Sequence, residues 1–130
     1  MTMTAGKYYI GDLCYVMHEN EWDEFCGLTI DYEKHTCIDG EFTFKDGRRF
    51  AVYSTKFGDG LYFDQFDREY SVDAGSIGCI KLEDIRADKY DNIEELGNIV
   101  EFTNDFVTAA HDGTLFFGDV KIFTNGSDNE

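Results

Sequence analysis

The chain has 130 residues, 42% of them hydrophobic, and its 27 acidic and 11 basic residues give a formal net charge of −16. Such a charge disfavours direct nucleic-acid binding, because phosphate contacts need clustered lysine and arginine. No apolar run is long enough to cross a bilayer and no secretory signal is present, so we expect a cytoplasmic protein without membrane contact. The length suits one hydrophobic core, which predicts a single globular domain over residues 1–124 and a polar tail at 125–130.

The first residues of the chain predict β-structure. Residues 7–10 and 13–17 are apolar and aromatic runs, and glycine and aspartate at 11–12 separate them. This pattern indicates either two short strands or one bulged strand.

A short helix is expected next, with Asn20 as its N-cap and Gly27 as its stop. Trp22, Phe25 and Cys26 fall on one face of that helix. We expect this face to be buried and the tryptophan to anchor part of the core.

The clearest prediction in the middle of the chain is a β-hairpin. Residues 28–40 predict a weak strand and a loop, whereas 41–44 and 48–55 flank a turn at Asp46-Gly47. Asp-Gly supplies the positive backbone angles that a tight hairpin turn requires. The residues expected on one buried face of the hairpin are Phe42, Phe44, Phe50 and Val52.

The segments that follow continue the strand pattern. Residues 61–63 and 68–72 predict two further strands. In the run 77–82, the small residues Gly78 and Cys79 predict a tightly packed interior strand or a close backbone approach.

The last third of the chain predicts a second helix and then more strands. Residues 83–98 carry the cap, acidic first turn and stop of a short helix. The closing strands are expected at 99–103, 106–110, 114–117 and 120–124, with a turn at Asp112-Gly113. The chain as a whole therefore predicts a mainly β fold, a β-barrel or β-sandwich built from antiparallel hairpins, with two short helices.

A candidate ligand site lies where two strand breaks carry aspartate. Asp12 and Asp73 can each bond nearby backbone N–H groups, and this structural role is the favoured interpretation. If both face one cleft lined by Trp22 or tyrosines, they would make a small polar ligand pocket. The turn at Asp59-Gly60 opens an acidic segment and is the turn most expected at a functional edge. The candidate ligand-binding residues are Asp12, Tyr15, Asp59, Tyr62, Asp64 and Asp73.

Metal binding is disfavoured by the spacing of its possible ligands. Segment 57–73 holds several carboxylates, but it lacks the ligand alternation and the distal glutamate of a calcium loop. Zinc could use cysteine and histidine, but the close Cys pairs of structural zinc sites are missing. The combinations considered are Cys14 with His18, and Cys26 with His35 and Cys37. We therefore expect no metal and no cofactor.

Catalysis is also disfavoured, because no phosphate loop, dinucleotide fingerprint or nucleophile elbow is present. A cysteine nucleophile could be assembled from Cys79 or Cys14 with His111 or His18. Any chain with four cysteines and three histidines offers such pairs. Apolar thiols and surface imidazoles are the favoured interpretation, so we predict no catalytic residues.

Four stretches, at residues 9–16, 22–26, 53–65 and 72–78, together resemble small acidic bacterial and phage proteins of unassigned function. Those proteins usually carry proline where this sequence has Leu13. The resemblance brings no known catalytic residue. It implies a bacterial cell or a phage-infected host, in which small acidic proteins often act by binding a host or defence component.

Charge and the absence of catalytic motifs favour a non-enzymatic acidic binding protein, such as a phage-type inhibitor or modulator of a host protein with a basic surface. The alternative is a small-ligand-binding protein or hydrolase with a cleft around Asp12 and Asp73. A structural or assembly component is a third hypothesis.

Overall fold

The computed structural model describes residues 3–17, 19–34, 36–73, 75–85 and 97–124. One helix, α1 (Glu19–Thr29), and two single 3-10 turns, Leu13–Tyr15 and Leu82–Asp84, accompany the strands in these ranges. The strands are β1 (Gly6–Gly11), β2 (Ile30–Asp31), β3 (Thr36–Cys37), β4 (Gly40–Thr43), β5 (Arg49–Ser54), β6 (Gly60–Asp64), β7 (Glu69–Val72), β8 (Ser76–Lys81), β9 (Asn98–Phe102), β10 (Thr108–His111), β11 (Thr114–Phe117) and β12 (Val120–Phe123).

Ten of the strands form two five-stranded antiparallel sheets. The first sheet has the order β4-β5-β8-β1-β9 and the second has the order β10-β11-β12-β6-β7, while β2 and β3 form a separate small hairpin. The two large sheets share one apolar core. The prediction of a mainly β fold of antiparallel hairpins is confirmed, and the described strands form a sandwich-like pair of sheets rather than a closed barrel.

The core between the sheets follows from side chains that alternate along each strand. Tyr8 and Ile10 of β1 face the second sheet, where they join Leu115, Phe117 and Ile122. All five are buried. Burial of this apolar surface is the main free-energy gain that holds the two sheets together.

The opposite face of the first sheet packs against α1. Phe50 of β5 lies 5.2 Å from Phe25 of the helix between ring centroids, and Phe25 lies 5.2 Å from Trp22 in a stacked pair. The predicted buried helix face is confirmed, with Trp22 and Cys26 partly buried at its edge. The predicted hairpin face is confirmed as well, because Phe42, Phe44, Phe50 and Val52 all belong to this second apolar cluster.

Strand β8 lies in the middle of the first sheet, between β5 and β1, and its small residues permit close packing. A Cβ added to Gly78 would overlap the carbonyl oxygen of Ala51 and lie 2.8 Å from the Cδ1 atom of Leu13. Cys79 is fully buried on the side facing the second sheet. The predicted close backbone approach is therefore confirmed.

Two sequence-based predictions near the start of the chain were wrong. Residues 13–15 form a 3-10 turn rather than a strand, because the Asp12 carboxylate accepts a hydrogen bond from the Cys14 backbone N–H and starts a tight turn. The predicted ends of the helix are also wrong. Helix α1 begins at Glu19, so Asn20 lies inside it rather than at its N-cap, and it continues past the predicted stop at Gly27 to Thr29. Leu28 packs on the core and the Thr29 hydroxyl donates to the Phe25 carbonyl. These contacts stabilise the two helical residues that follow Gly27.

The predicted turns are confirmed at two Asp-Gly pairs. Asp112 and Gly113 have φ of 51° and 86° between β10 and β11, and Gly47 has φ of 96° between β4 and β5. Most of the predicted second helix, residues 86–96, lies outside the described residues. Its first residues form the 3-10 turn that follows β8.

Candidate functional site

The structure places three of the predicted site residues together. Asp12, at the end of β1, is only 1% exposed. Its Oδ1 atom accepts a hydrogen bond of 3.0 Å from the Cys14 N–H, and its Oδ2 atom accepts one of 2.7 Å from the Asp73 N–H. The Tyr15 hydroxyl donates to the Asp73 carboxylate at 2.6 Å. Asp12, Tyr15 and Asp73 thus join the end of β1 to the connection between β7 and β8.

The surroundings of this cluster keep the Cys14 thiol and the Tyr15 hydroxyl protonated. Burial, followed by the Asp12 carboxylate, raises the pKa of the Cys14 thiol, and nearby Asp59 adds to that rise. Burial and the hydrogen bond to Asp73 raise the pKa of Tyr15. Both groups are neutral at neutral pH, so neither is poised as an anionic nucleophile.

Two other candidate residues, Tyr62 and Asp64, lie in different surroundings. Tyr62 lies in the core between the sheets and donates from its hydroxyl to the Gly58 carbonyl at 2.8 Å. Asp64 is buried at the turn between β6 and β7. Its carboxylate accepts hydrogen bonds from the backbone N–H groups of Phe66 and Arg68, from Arg68 Nε and from the Tyr70 hydroxyl. Asp64 therefore organises a turn.

The bonding of Asp64 also sets its protonation. Burial alone raises the pKa of this carboxyl group, but the hydrogen bonds from Tyr70, Arg68 and Phe66 outweigh burial, and the pKa lies below its ordinary value. The carboxylate is therefore charged at neutral pH, and the ion pair with Arg68, at 2.6 Å, balances that charge.

The metal and thiol candidates can be located in part. Within the ranges that the structure covers, no group of three or more His, Cys, Asp or Glu side chains is arranged to hold a metal ion. Cys26 and Cys37 line one cleft beside α1. His18 and His35, their predicted histidine companions, lie outside the described residues. Burial raises the pKa of Cys79, which keeps this thiol neutral in the core.

Sequence reasoning missed an apolar surface on the second sheet. Phe63 of β6 lies directly opposite Phe123 of β12, and the two are 40% and 41% exposed. Leu61, two residues before Phe63 on β6, is 50% exposed. Phe116 of β11 lies between two core residues of its strand, so it points to the same outer side. We call Leu61, Phe63, Phe116 and Phe123 the outer face.

The signal for this surface is present in the sequence. The strands of an antiparallel sheet that exposes one side to solvent normally alternate apolar and polar residues. The run 61–63 is instead apolar at every position, with Tyr62 directed into the core and its two neighbours directed outward. Residues 61–63 were predicted as a strand without regard to which of its two sides is covered, so the outward neighbours of Tyr62 were not identified.

Exposed carboxylates lie at the turns and edge of the sheet that carries the outer face. The exposed acids at the turns and edge of the second sheet are Asp59, Asp67, Glu69, Asp112 and Asp119. Of the nearby cations, Lys56 pairs with Asp112 at 3.2 Å and Arg68 pairs with Asp64. Lys121 lies across from Phe116 on the outer side. The second sheet thus combines the apolar outer face, which also carries the cation Lys121, with these five exposed acids at its turns and edge, which we call the acidic rim.

Comparisons with models of protein families, with curated proteins and with solved structures find no match to this chain. In the part of the chain that the structure describes, no helix combines the length and apolar character needed to span a bilayer. What the chain binds must therefore follow from its own side chains.

Proposed function

We propose that this protein is a non-enzymatic binding protein that acts in a bacterial cell or a phage-infected host. Its outer face binds a partner protein that presents an apolar centre bordered by lysine and arginine. The observation that carries the proposal is the pair Phe63 and Phe123, opposed on an uncovered face of a sheet whose turns and edge carry exposed carboxylates.

The apolar centre supplies the attraction. Full burial of a phenylalanine side chain from water gains about 1.5–3 kcal/mol, and Phe63 and Phe123, which are 40% and 41% exposed, can gain the share of it that corresponds to their exposed surface. The strand pairing of β6 with β12 fixes the backbone at Phe63 and Phe123, so binding has to order only their side chains. Phenylalanine, like other aromatic residues, is enriched in the buried centres of protein interfaces.

The acidic rim selects the partner. A formal charge of −16 speeds encounter with a basic surface and opposes contact between two copies of the same chain. We therefore commit to a different, basic protein as the partner rather than to a second copy. The same charge disfavours a nucleic-acid ligand.

The experiment compares the wild-type chain with the double variant Phe63→Ser, Phe123→Ser. Proteins captured from a bacterial lysate are identified, and the affinity of the purified partner is then measured against both chains. We expect the double variant to bind at least about 30-fold more weakly, which corresponds to about 2 kcal/mol. Affinity of the wild type should fall as salt screens the rim carboxylates.

A matched control is Tyr32→Ser, which also removes an exposed aromatic side chain but lies in the turn between β2 and β3. This variant should bind the partner like the wild type. Equal binding by the wild type and the double variant would refute the proposal, and so would an affinity that does not change with salt.

The alternative of a cleft around Asp12 and Asp73 draws on their proximity in the structure. Both oxygens of the Asp12 carboxylate already accept backbone N–H groups, which supports the structural interpretation. Ligand-dependent melting of Asp12→Asn and Asp73→Asn variants tests this alternative. Unchanged shifts in both would remove these residues from any ligand site.

A further inference from the structure

A second uncovered apolar feature lies on the other side of the molecule from the outer face. It is a cleft of about 410 Å³ between helix α1 and the β2–β3 hairpin. Its walls include Trp22, Phe25, Cys26, Ile30, Tyr32 and Cys37. The helix packs on the face of the first sheet that is turned away from the second sheet, so the cleft and the outer face are separate surfaces.

Three of the nine described residues that line the cleft are aromatic, and three carry hydroxyl groups, namely Thr29, Thr36 and Ser76. Trp22 stacks on Phe25, which is itself anchored on the first sheet. Tyr32 stands at the cleft in the hairpin turn and is 64% exposed. A cleft of this volume falls within the range of about 300–1,000 Å³ typical of small-molecule sites, which are mostly apolar and aromatic.

The described walls of the cleft offer no charged group to balance an ionic ligand. None of the described residues that line it is Asp, Glu, Lys or Arg. Burial raises the pKa of Cys26 and of Cys37, so both thiols are neutral at neutral pH. The Thr29 hydroxyl donates within the helix, to the Phe25 carbonyl at 2.9 Å. An anion would also meet the repulsion of a chain with a formal charge of −16.

We propose that this cleft binds an uncharged, mostly apolar small molecule that contains an aromatic ring. The ring packs against Trp22 and Tyr32, and the neutral thiols complete an apolar wall. This activity goes beyond partner binding by the outer face and does not depend on it.

The test uses N-phenyl-1-naphthylamine, a neutral aromatic probe, with the full chain. Trp22 is the only tryptophan of the chain, so quenching of its emission reports on the cleft directly. We expect saturable binding of one probe per chain with quenching of Trp22. The anionic relative 1-anilinonaphthalene-8-sulfonate should bind at least about tenfold more weakly, because a sulfonate finds no lysine or arginine among the described residues of the walls.

Two exposed aromatic residues provide a matched pair of variants. Tyr32→Ala should weaken binding of the neutral probe about fivefold, since it removes one aromatic wall of the cleft. Phe57→Ala removes a side chain that is 61% exposed and lies outside the cleft, and it should leave the Kd of the neutral probe within about twofold of the wild-type value. Circular dichroism of both variants checks that they are folded. The proposal is overturned by absent or unsaturable quenching, by equal effects of the two variants, or by a sulfonate probe that binds as tightly as the neutral one.

Discussion

The two large sheets differ in how many of their faces are covered. The first sheet is buried on both sides, by the second sheet and by α1, and its central strand β8 is buried along almost its whole length. The second sheet has one buried side. Its other side carries Leu61, Phe63 and Phe123 in contact with water.

The difference separates apolar residues that serve folding from those available for binding. Strand β5 of the first sheet and strand β6 of the second are both apolar at successive positions. In β5 each side has a covering layer, whereas in β6 only the side of Tyr62 does. Exposed aromatic residues on a rigid sheet face, rather than isolated ones, mark an interaction surface.

The largest expected effect concerns the doubly covered sheet. Gly78→Ala should lower the free energy of unfolding by about 3 kcal/mol, because the added methyl group would collide with the Ala51 backbone and with Leu13. Urea denaturation measures the change. Gly27→Ala is the matched control: a Cβ at this helix position meets no atom within 4 Å, so it should raise stability by up to about 1 kcal/mol. A tolerated Gly78→Ala would mean that the first sheet is less tightly packed than described.

A smaller effect is expected where the second sheet is held by polar contacts. Tyr70→Phe removes the hydroxyl that donates to Asp64 at 2.6 Å, and it should lower the free energy of unfolding by about 1.5 kcal/mol at pH 7. Because the folded pKa of Asp64 is depressed, its charged form adds stability above about pH 4, and this is lost as the pH falls through the folded pKa. The difference in the free energy of unfolding between wild type and Tyr70→Phe should therefore become smaller below pH 4, as measured by denaturation curves across this pH range. A difference that stays constant down to pH 2 would show that Tyr70 does not act through the Asp64 carboxylate.

The smallest effect on stability is expected at the outer face. Phe63→Ser removes an exposed side chain and its cross-strand neighbour contact with Phe123, which together contribute about 1 kcal/mol or less to folding. Thermal melting of this variant should change little. A loss well above 2 kcal/mol would indicate that the residue serves folding, and the distinction between the two sheets would fail.

Much of the local structure could be predicted from the sequence. The alternation of apolar and polar residues in 41–55 and the turn at Asp112-Gly113 depend on neighbours close in the chain, so the sequence predicts them. The strand order could not be predicted, because β1 pairs with β8 and β9, which follow it by many residues. The strand predicted at 13–17 failed because one contact, from the Cys14 N–H to the Asp12 carboxylate, favours a tight turn there.

The candidate site could be predicted only in part. Glycine and aspartate at two strand breaks indicated Asp12 and Asp73, and the structure brings them together with Tyr15. The outer face stayed hidden, because apolar residues at successive positions do not reveal which of their two sides is covered. Only the layering of the sheets decides that Phe63 faces water and Tyr62 does not.

Site-specific photocrosslinking tests the proposed binding surface most directly. The chain is expressed with p-benzoylphenylalanine in place of Phe63 or Phe123, and separately in place of Tyr32 as a control of similar type. Irradiation in cells should link the two outer-face positions to one basic protein and leave the control position unlinked. Crosslinks from Tyr32 to the same protein without any from Phe63 or Phe123, or no crosslink from the outer face at all, would contradict the account.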